Sequence, residues 1–176
     1  MSDIHIDIRF ATARDAPLLA ELGARTFART FGPDNTEEDM SAYLASAFGP
    51  HIQGAEIADP DSVFLIAQAE DAAAGYARLR FGESRPTVAG TRPVEVARFY
   101  ADGPWIGRGI GAALMIACLD LAANRACDVA WLDVWERSPR AIAFYQKWGF
   151  AVVGSQQFRL GSDVQNDFLM ARAIAR

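Results

Sequence analysis

The first third of the chain changes from a strand-like to a helix-like spacing of apolar residues. Residues 4–10 alternate between apolar and polar side chains, which predicts a half-buried strand. Thr12 and Asp15 have the spacing of a capping box, so a helix is expected to follow and to end at Gly32–Asn35. Thr36 then caps a second predicted helix, with three acidic residues in its first turn and Phe48 at the end of its apolar stripe.

The remainder of the chain predicts a hairpin followed by strands that alternate with helices. Two apolar stretches, Val63–Gln68 and Tyr76–Phe81, flank a turn at Asp71–Gly75 and predict an antiparallel hairpin. After a polar loop at Ser84–Pro93, strands are expected at Val94–Ala101, Val129–Trp135, Phe150–Gly154 and Asp167–Ile174, and helices at Gly109–Asn124 and from Pro139 to about Lys147. Residues 1–176 are therefore interpreted as one mixed α/β domain.

Composition and charge narrow the classes of partner. The 176 residues are 51% hydrophobic and 22% charged, which is typical of a globular domain, and no apolar run is long enough to cross a membrane. The net charge of −5 argues against a nucleic-acid partner and suits a cationic substrate. We therefore expect neither nucleic acid nor membrane as a partner.

Cysteine and histidine usage predicts a reducing compartment and no metal. Cys118 and Cys127 have apolar neighbours and form no CxxC motif, which is typical of reduced thiols and favours the cytoplasm. The histidines, His5 and His51, are too few for a histidine metal site, and His51 is expected in a loop. The start of the chain does not have the basic-then-apolar pattern of a secretion signal.

A glycine-rich segment at a strand-to-helix junction predicts a phosphate site. The strand Val94–Ala101 leads through a turn at Asp102–Pro104 to Gly107–Gly111, and a helix follows at once. The glycines let a ligand approach the backbone, and the first N–H groups of the helix have no internal partner. Such a helix start favours anions, so a phosphate-bearing ligand is expected here.

Of two general phosphate-binding motifs, one does not fit this segment and the other fits it only in part. A P-loop requires Gly-Lys followed by Ser or Thr, and the chain contains no such sequence. Gly107, Gly109 and Ala112 satisfy the GxGxxA pattern of a dinucleotide fold, with Asp128 near the expected acidic position. That motif normally serves the first strand of a repeated βαβ unit, whereas here a hairpin precedes it. A dinucleotide fold stays open as the weaker alternative.

The same segment resembles the acetyl-CoA loop of the GCN5-related N-acetyltransferases (the GNAT superfamily). Their signature is Q/R-x-x-G-x-G/A, and Gly109-Ile110-Gly111 matches its second half, while Ile106 replaces the Gln or Arg. The second family motif follows in order, with Trp131–Glu136 before Arg140–Tyr145 and then Gly149-Phe150. Ser138 stands where the family usually has Asn.

The resemblance extends over nearly the whole chain and is strongest to the PaiA-type spermine/spermidine N-acetyltransferases. Features similar to that branch lie in the first two helices, in Val134-Trp135-Glu136 and in the tail residues Phe158, Gly161, Gln165, Asp167 and Met170. It implies the GNAT fold, an α/β arrangement in which a twisted, mostly antiparallel sheet of about six or seven strands contains a splayed parallel pair and is flanked by about four helices. It also implies transfer of an acetyl group from acetyl-CoA to a primary amine, with a polyamine as the leading acceptor.

The resemblance also implies roles for individual residues. Glu95, eleven positions before Ile106, has the spacing of the family's strand glutamate base, and Tyr145 has the position of the acid that protonates the sulfur. A backbone N–H near Phe99 or Tyr100 corresponds to the oxyanion donor. The residues expected to bind acetyl-CoA are Phe99, Tyr100, Ile106, Gly107, Arg108, Gly109, Ile110, Gly111, Ala112, Ser138, Ala141 and Phe144. Neither cysteine stands where a covalent acetyl carrier would, so direct transfer in a ternary complex is expected.

The acceptor and the oligomeric state are left open by the sequence. A peptide or amino-acid amine would leave the same cofactor motifs, and a non-catalytic acyl-CoA sensor or scaffold is the alternative from another class. Asp133, Glu136 and Asp167 are possible contacts for a cation, whereas the acidic residues 34–39 are more simply explained as complementing their own helix dipole. The superfamily is often monomeric or dimeric, so a homodimer is one open possibility.

Overall fold

The computed structural model describes residues 4–175, which form one seven-stranded sheet flanked by five α-helices. The strands are β1 (Ile6–Phe10), β2 (Ser62–Ala69), β3 (Ala72–Phe81), β4 (Pro93–Ala101), β5 (Val129–Trp135), β6 (Ala151–Leu160) and β7 (Asp163–Ala173). The helices are α1 (Ala16–Phe31), α2 (Glu37–Ala47), α3 (Pro50–Ala58), α4 (Ile110–Asn124) and α5 (Pro139–Lys147).

The order of the strands confirms the expected sheet with one splayed parallel pair. The order is β1-β2-β3-β4-β5-β7-β6, and every neighbouring pair is antiparallel except β4 and β5. That parallel pair is short, because Pro93–Glu95 lie against Val129–Trp131 and pairing stops there. Beyond Glu95 the two strands diverge and leave a gap at their carboxyl ends.

The two faces of the sheet are covered by different helices, and this follows from alternation along each strand. In β2, Leu65 and Ala67 join the core beneath α4, whereas Phe64 and Ile66 face α1 and pack against Leu19. Successive strand residues point to opposite faces, so both faces of β2 are buried. The sheet is therefore covered by helices on both faces of β2.

A close packing of β3 on α4 fixes where the glycine-rich segment begins its helix. A Cβ added at Gly75 would lie 2.6 Å from the carbonyl oxygen of Tyr100 and 2.8 Å from the side chain of Ile110. Only glycine allows the strand and the start of the helix to approach so closely. Ile110 is 1% exposed and anchors the first turn of α4 on the sheet.

Several local predictions need correction. His51 was expected in a loop, but it lies in α3, a helix that the sequence analysis did not predict. Pro50 instead occupies the first turn of that helix, where its missing N–H costs nothing.

The predicted hairpin is tighter and longer than expected, and β6 and β7 form a second hairpin that was not predicted. The first turns at Glu70 and Asp71, whose φ angles are 49° and 63°, so β3 begins at Ala72 rather than at Tyr76. The second turns at Gly161, with φ of 60°, and joins β6 and β7 where shorter strands were expected. In both cases a two-residue turn with positive φ matches the twist of the strands and extends the pairing.

Within residues 4–175, no helix has both the length and the apolar character needed to cross a membrane.

Candidate active site

Two cavities meet where β4 and β5 diverge. The outer cleft, about 610 Å3, lies between the glycine-rich loop before α4, the end of β4 and the start of α5. The inner cavity, about 180 Å3, lies deeper, among the walls formed by α1, α2, β4, β5 and β7. The residues that line both are Thr30, Phe99, Tyr100, Ser138, Ala141 and Tyr145.

The loop of the outer cleft presents backbone rather than side chains. Gly107 and Gly109 have φ angles of 80° and 92°, a left-handed conformation that glycine adopts without strain. The first helical hydrogen bond of α4 runs from the N–H of Ala113 to the carbonyl oxygen of Gly109, so the N–H groups before it lie free of the helix. A Cβ at Gly111 would lie 3.3 Å from the ring of Phe144, so the lack of a side chain at Gly111 keeps this surface of the cleft clear. The loop can therefore hold an anion on main-chain donors.

The upper part of β4 has a free edge on the gap. A register shift pairs Arg78 with Arg98 but Leu79 with Val96, so β4 contains a bulge at Ala97. Beyond the parallel pairing, only β3 bonds to β4. Because N–H groups alternate between the two edges of a strand, some of those in Phe99–Ala101 face the gap.

Tyr145 stands at the junction of the two cavities. Its ring packs edge-on against Phe99 and Phe150 at centroid distances of 6.1 and 5.9 Å. The side chain is 8% exposed, and burial raises the pKa of its hydroxyl well above the usual tyrosine value. The hydroxyl therefore stays protonated at neutral pH and is available as a proton donor to a group in either cavity.

The inner cavity combines aromatic walls with carboxylates. The aromatic residues that line it are Phe27, Phe31, Tyr43, Phe48, Phe99, Tyr100, Trp135, Tyr145 and Phe158. Asp133 and Asp167 line it from β5 and β7. One cation also lines it, Arg98, but its guanidinium donates to both carboxylate oxygens of Glu56 at 2.6 and 3.1 Å and to Gln53 at 3.1 Å. The arrangement suits a positively charged group with an apolar stem.

Comparison with known proteins decides the family. The sequence model of the acetyltransferase (GNAT) family matches residues 25–150. An uncharacterised N-acetyltransferase encoded beside pepI in Lactobacillus delbrueckii subsp. lactis is 32% identical over 161 residues, which are 92% of this chain and 93% of that protein. The chain belongs to the GNAT family of acetyltransferases.

Further similarities agree with this assignment. An uncharacterised N-acetyltransferase of Mycobacterium tuberculosis is 32% identical over 160 residues, with 91% of this chain and 98% of that protein covered. The crystal structure of the PaiA N-acetyltransferase from Thermoplasma acidophilum, solved with coenzyme A, superposes with a TM-score of 0.76 and 20% identity, over 96% of this chain and 99% of that one. The protein is an N-acetyltransferase enzyme with the GNAT fold.

In this acetyltransferase, the outer cleft brings together most of the residues expected to bind the acetyl donor. Ten of the twelve line it: Phe99, Tyr100, Ile106, Gly107, Gly109, Gly111, Ala112, Ser138, Ala141 and Phe144. Of the other two, Ile110 points into the core, and the guanidinium of Arg108 lies over the ring of Trp105, 4.7 Å from its centroid. The N–H of Arg108 donates to the carbonyl oxygen of Trp105 at 3.2 Å, so it is already engaged in the turn.

The sequence analysis missed two basic residues of the outer cleft. Arg140 and Lys147 line it from α5, opposite the glycine-rich loop. They are seven residues apart, which is two turns of a helix, so the spacing was a signal that both share one face. With them the acetyltransferase has side-chain cations as well as main-chain donors for an anionic ligand.

Glu95 lies below the gap rather than in it. It is the last residue of β4 that pairs with β5, it is 5% exposed, and it lines neither cavity. Its carboxylate accepts a hydrogen bond from Arg80 at 3.1 Å, and burial raises its pKa despite that partner. The structure thus brings Tyr145 and ten predicted cofactor residues to the cavities, but holds Glu95 on Arg80.

The described residues 4–175 contain no group of three or more His, Cys, Asp or Glu side chains that could hold a metal ion.

Proposed function

We propose that this acetyltransferase uses acetyl-CoA to acetylate a primary amine of a small molecule, and that the amine is a polyamine such as spermidine or spermine. The observation that carries the proposal is the junction at Tyr145. There a cleft of free main-chain donors opens onto an inner cavity of aromatic rings and carboxylates. An anionic donor and a cationic acceptor would thus approach one protonated hydroxyl from opposite sides.

The outer cleft fits the phosphate groups of acetyl-CoA. The start of α4 offers N–H groups and a favourable dipole, and Arg140 and Lys147 add positive charge on the opposite wall. The coenzyme A bound to the similar T. acidophilum enzyme supports this ligand. Acetyl-CoA supplies the acetyl group as a thioester.

Two groups of the chain are suited to the charges that develop during transfer. A tetrahedral oxyanion needs donors placed in advance, and the N–H groups of Phe99–Tyr100 that face the gap provide candidates. The leaving sulfur needs a proton, and the hydroxyl of Tyr145 stays protonated because burial raises its pKa. Cys118 and Cys127 are both buried and line neither cavity, which supports direct transfer without an acetyl-cysteine.

The inner cavity favours an amine that carries no carboxylate of its own. A polyamine presents an ammonium on an aliphatic stem, which suits carboxylates flanked by aromatic rings. An amino acid would need a free cation for its carboxylate, and Arg98 is already held by both oxygens of Glu56. The similarity to the PaiA enzyme also points toward polyamines.

Two further expectations remain part of the proposal. Glu95 is a candidate base that would act through a water, since its carboxylate is buried on Arg80 below the gap. A cytoplasmic location accords with two free, buried cysteines, because thiols persist in reducing compartments.

The test is release of CoA from acetyl-CoA with a panel of amines: spermidine, spermine, short peptides, amino acids and aminoglycosides. We expect turnover with the polyamines and little with amino acids. Turnover with another amine alone would retain acetyl transfer and refute the polyamine acceptor. Tight acetyl-CoA binding without CoA release from any amine would instead favour a non-catalytic sensor.

A further inference from the structure

Two aspartates on neighbouring strands lie on the same face of the sheet, at the floor of the inner cavity. Asp133 of β5 is paired with Leu169 of β7, and Asp167 of β7 is paired with Trp135 of β5. The two aspartates are therefore diagonal neighbours, a relation in which side chains on one face are within reach of each other. Both line the inner cavity.

The two carboxylates differ in how they are held. Asp133 Oδ2 accepts a hydrogen bond from Nε2 of Gln156 at 3.1 Å, and Oε1 of Gln156 accepts one from Nε of Arg85 at 3.0 Å. Asp167 is only 6% exposed, and its buried Oδ1 accepts no hydrogen bond from any described residue. A buried carboxylate oxygen without a donor is costly, so it marks a place for a ligand that brings one.

Charged and titratable groups surround this pair on several elements, and few of them neutralise it. The groups are Glu136 after β5, Glu95 and Arg98 on β4, Arg85 before β4, Tyr43 on α2, Glu56 on α3 and Tyr145 on α5. Arg98 is paired with Glu56, and Arg85 reaches the pair only through Gln156. Burial first, then the neighbouring charge of Asp133 and a hydrogen bond with the Asp133 side chain, raise the pKa of Asp167 to about 7.

We propose that Asp167, supported by Asp133, binds the acceptor ammonium and removes its proton. The inference rests on the proposed transfer to an amine and assigns the base within it. An N–H bond of the ammonium breaks, its proton passes to the Asp167 carboxylate, and the electron pair stays on nitrogen. The amine can then form the C–N bond of the amide while the C–S bond breaks. The second proton of the nitrogen leaves as the sulfur gains one.

The ionisation of the pair sets the expected pH dependence. Asp167 accepts a proton only when it is ionised, so the rate should fall as pH decreases through about 7. Removing the charge of Asp133 should lower the pKa of Asp167, because a like charge that disfavoured ionisation is gone. The acid limb of the pH profile should then move to lower pH. The charge of Asp133 also raises the pKa of Glu95, so Glu95→Gln is needed to distinguish the two carboxylates.

The experiment compares Asp167→Asn, Asp133→Asn and the control Asp120→Asn, with the amine that the panel identifies. Asp120 is exposed on α4 and lines neither cavity, so the control makes the same chemical change away from the site. The pH profile of kcat/KM is measured for each protein, and acetyl-CoA affinity by calorimetry shows that each variant is folded. Aspartate side-chain 13C NMR reports carboxyl titration without any turnover.

We expect Asp167→Asn to lower kcat by about 10²-fold and to abolish the acid limb, as loss of a general base does. We expect Asp133→Asn to shift the limb to lower pH, and Asp120→Asn to match the wild type. If the wild type is active and neither Asp167→Asn nor Asp133→Asn changes the acid limb of its pH profile, this inference is wrong but the proposed function stands. The same holds if Glu95→Gln, rather than Asp167→Asn, abolishes the acid limb. An NMR titration without a carboxyl near pH 7 overturns it whether or not an amine reacts. Absence of turnover by the wild type with every amine refutes the proposed function.

Discussion

The outer cleft and the inner cavity of this acetyltransferase are built in opposite ways. The outer cleft is formed largely by one continuous segment, from the end of β4 through the glycine-rich loop into α4, together with the face of α5. The inner cavity draws its side chains from seven elements, α1, α2, α5, β4, β5, β6 and β7. The cleft offers main-chain donors and small residues, whereas the cavity offers side-chain carboxylates and aromatic rings.

This difference suggests that the shared fold selects the acetyl donor, whereas the side chains of each enzyme select the acceptor. Main-chain donors at a helix start depend on glycines and on backbone geometry, so one structure can serve a common acetyl donor. Side chains from distant elements can change one at a time without disturbing that structure. The acceptor should therefore be determined by the inner cavity, and substitutions should affect the two regions independently.

The largest expected effect is on the outer cleft alone. Gly109→Val places a β-branched residue at φ of 92°, and the strain should distort the loop and weaken acetyl-CoA binding by about 10²-fold. Gly82→Val is a matched control, since Gly82 has φ of 84° and open space but lies outside both cavities. Calorimetry with acetyl-CoA distinguishes them. Equal weakening in both variants would mean general destabilisation rather than a local effect.

The next effect falls on the junction of the two regions. Tyr145→Phe removes the protonated hydroxyl and should lower kcat by roughly 10²-fold, with acetyl-CoA affinity little changed. Tyr76→Phe is the control, because the Tyr76 side chain is buried and lines neither cavity. Steady-state turnover measures both. Unchanged kcat in Tyr145→Phe would leave this tyrosine a packing role only.

A pair of aromatic truncations tests the independence of the two regions. Phe31, whose ring lies 5.8 Å from that of Trp135, lines only the inner cavity, whereas Phe144 lines only the outer cleft. Phe31→Ala should raise KM for the amine about tenfold, from the loss of aromatic contacts. Phe144→Ala should instead weaken acetyl-CoA. If each variant weakened binding of the amine and of acetyl-CoA to the same extent, the two regions would not be separable.

The smallest expected effect is on stability and has a defined sign. The pKa of Asp167 is raised in the folded protein, so its favourable contribution exists at low pH and is lost as pH rises toward 7. Asp167→Asn removes the buried charge and should raise Tm by roughly 3 °C at pH 8. At pH 5 the folded carboxyl is protonated but the unfolded one is ionised, so the difference should be less than half as large. Calorimetric melts at both pH values test this, and an equal shift at both would contradict it.

The sequence predicts the outer cleft well because its information is local. Strand, turn, glycines and helix follow one another, and ten of the twelve predicted cofactor residues line the cleft. The two exceptions depend on packing, since Ile110 turns toward β3 and Arg108 stacks on Trp105. Arg140 and Lys147 escaped notice because their relation to the loop exists only after α5 packs across the gap.

The inner cavity could not be predicted to the same degree. Asp133 and Asp167 were possible cation contacts by residue type, but their proximity depends on β7 lying between β5 and β6, out of chain order. The role expected for Glu95 rested on its spacing from the loop, which does not reveal that Arg80 on β3 pairs with it. The helix α3, which supplies Glu56 to Arg98, was not predicted, because Gly49-Pro50 at its start and Pro60 after its end are also typical of a loop.

The most direct test of the account is CoA release by the wild-type enzyme with acetyl-CoA and spermidine, with the acetylated product identified by mass spectrometry. The account predicts CoA release that requires the amine, in equal amount with acetylspermidine, and that decreases below about pH 7. CoA release at the same rate without amine, or acetyl-CoA bound and retained in its presence, would contradict it.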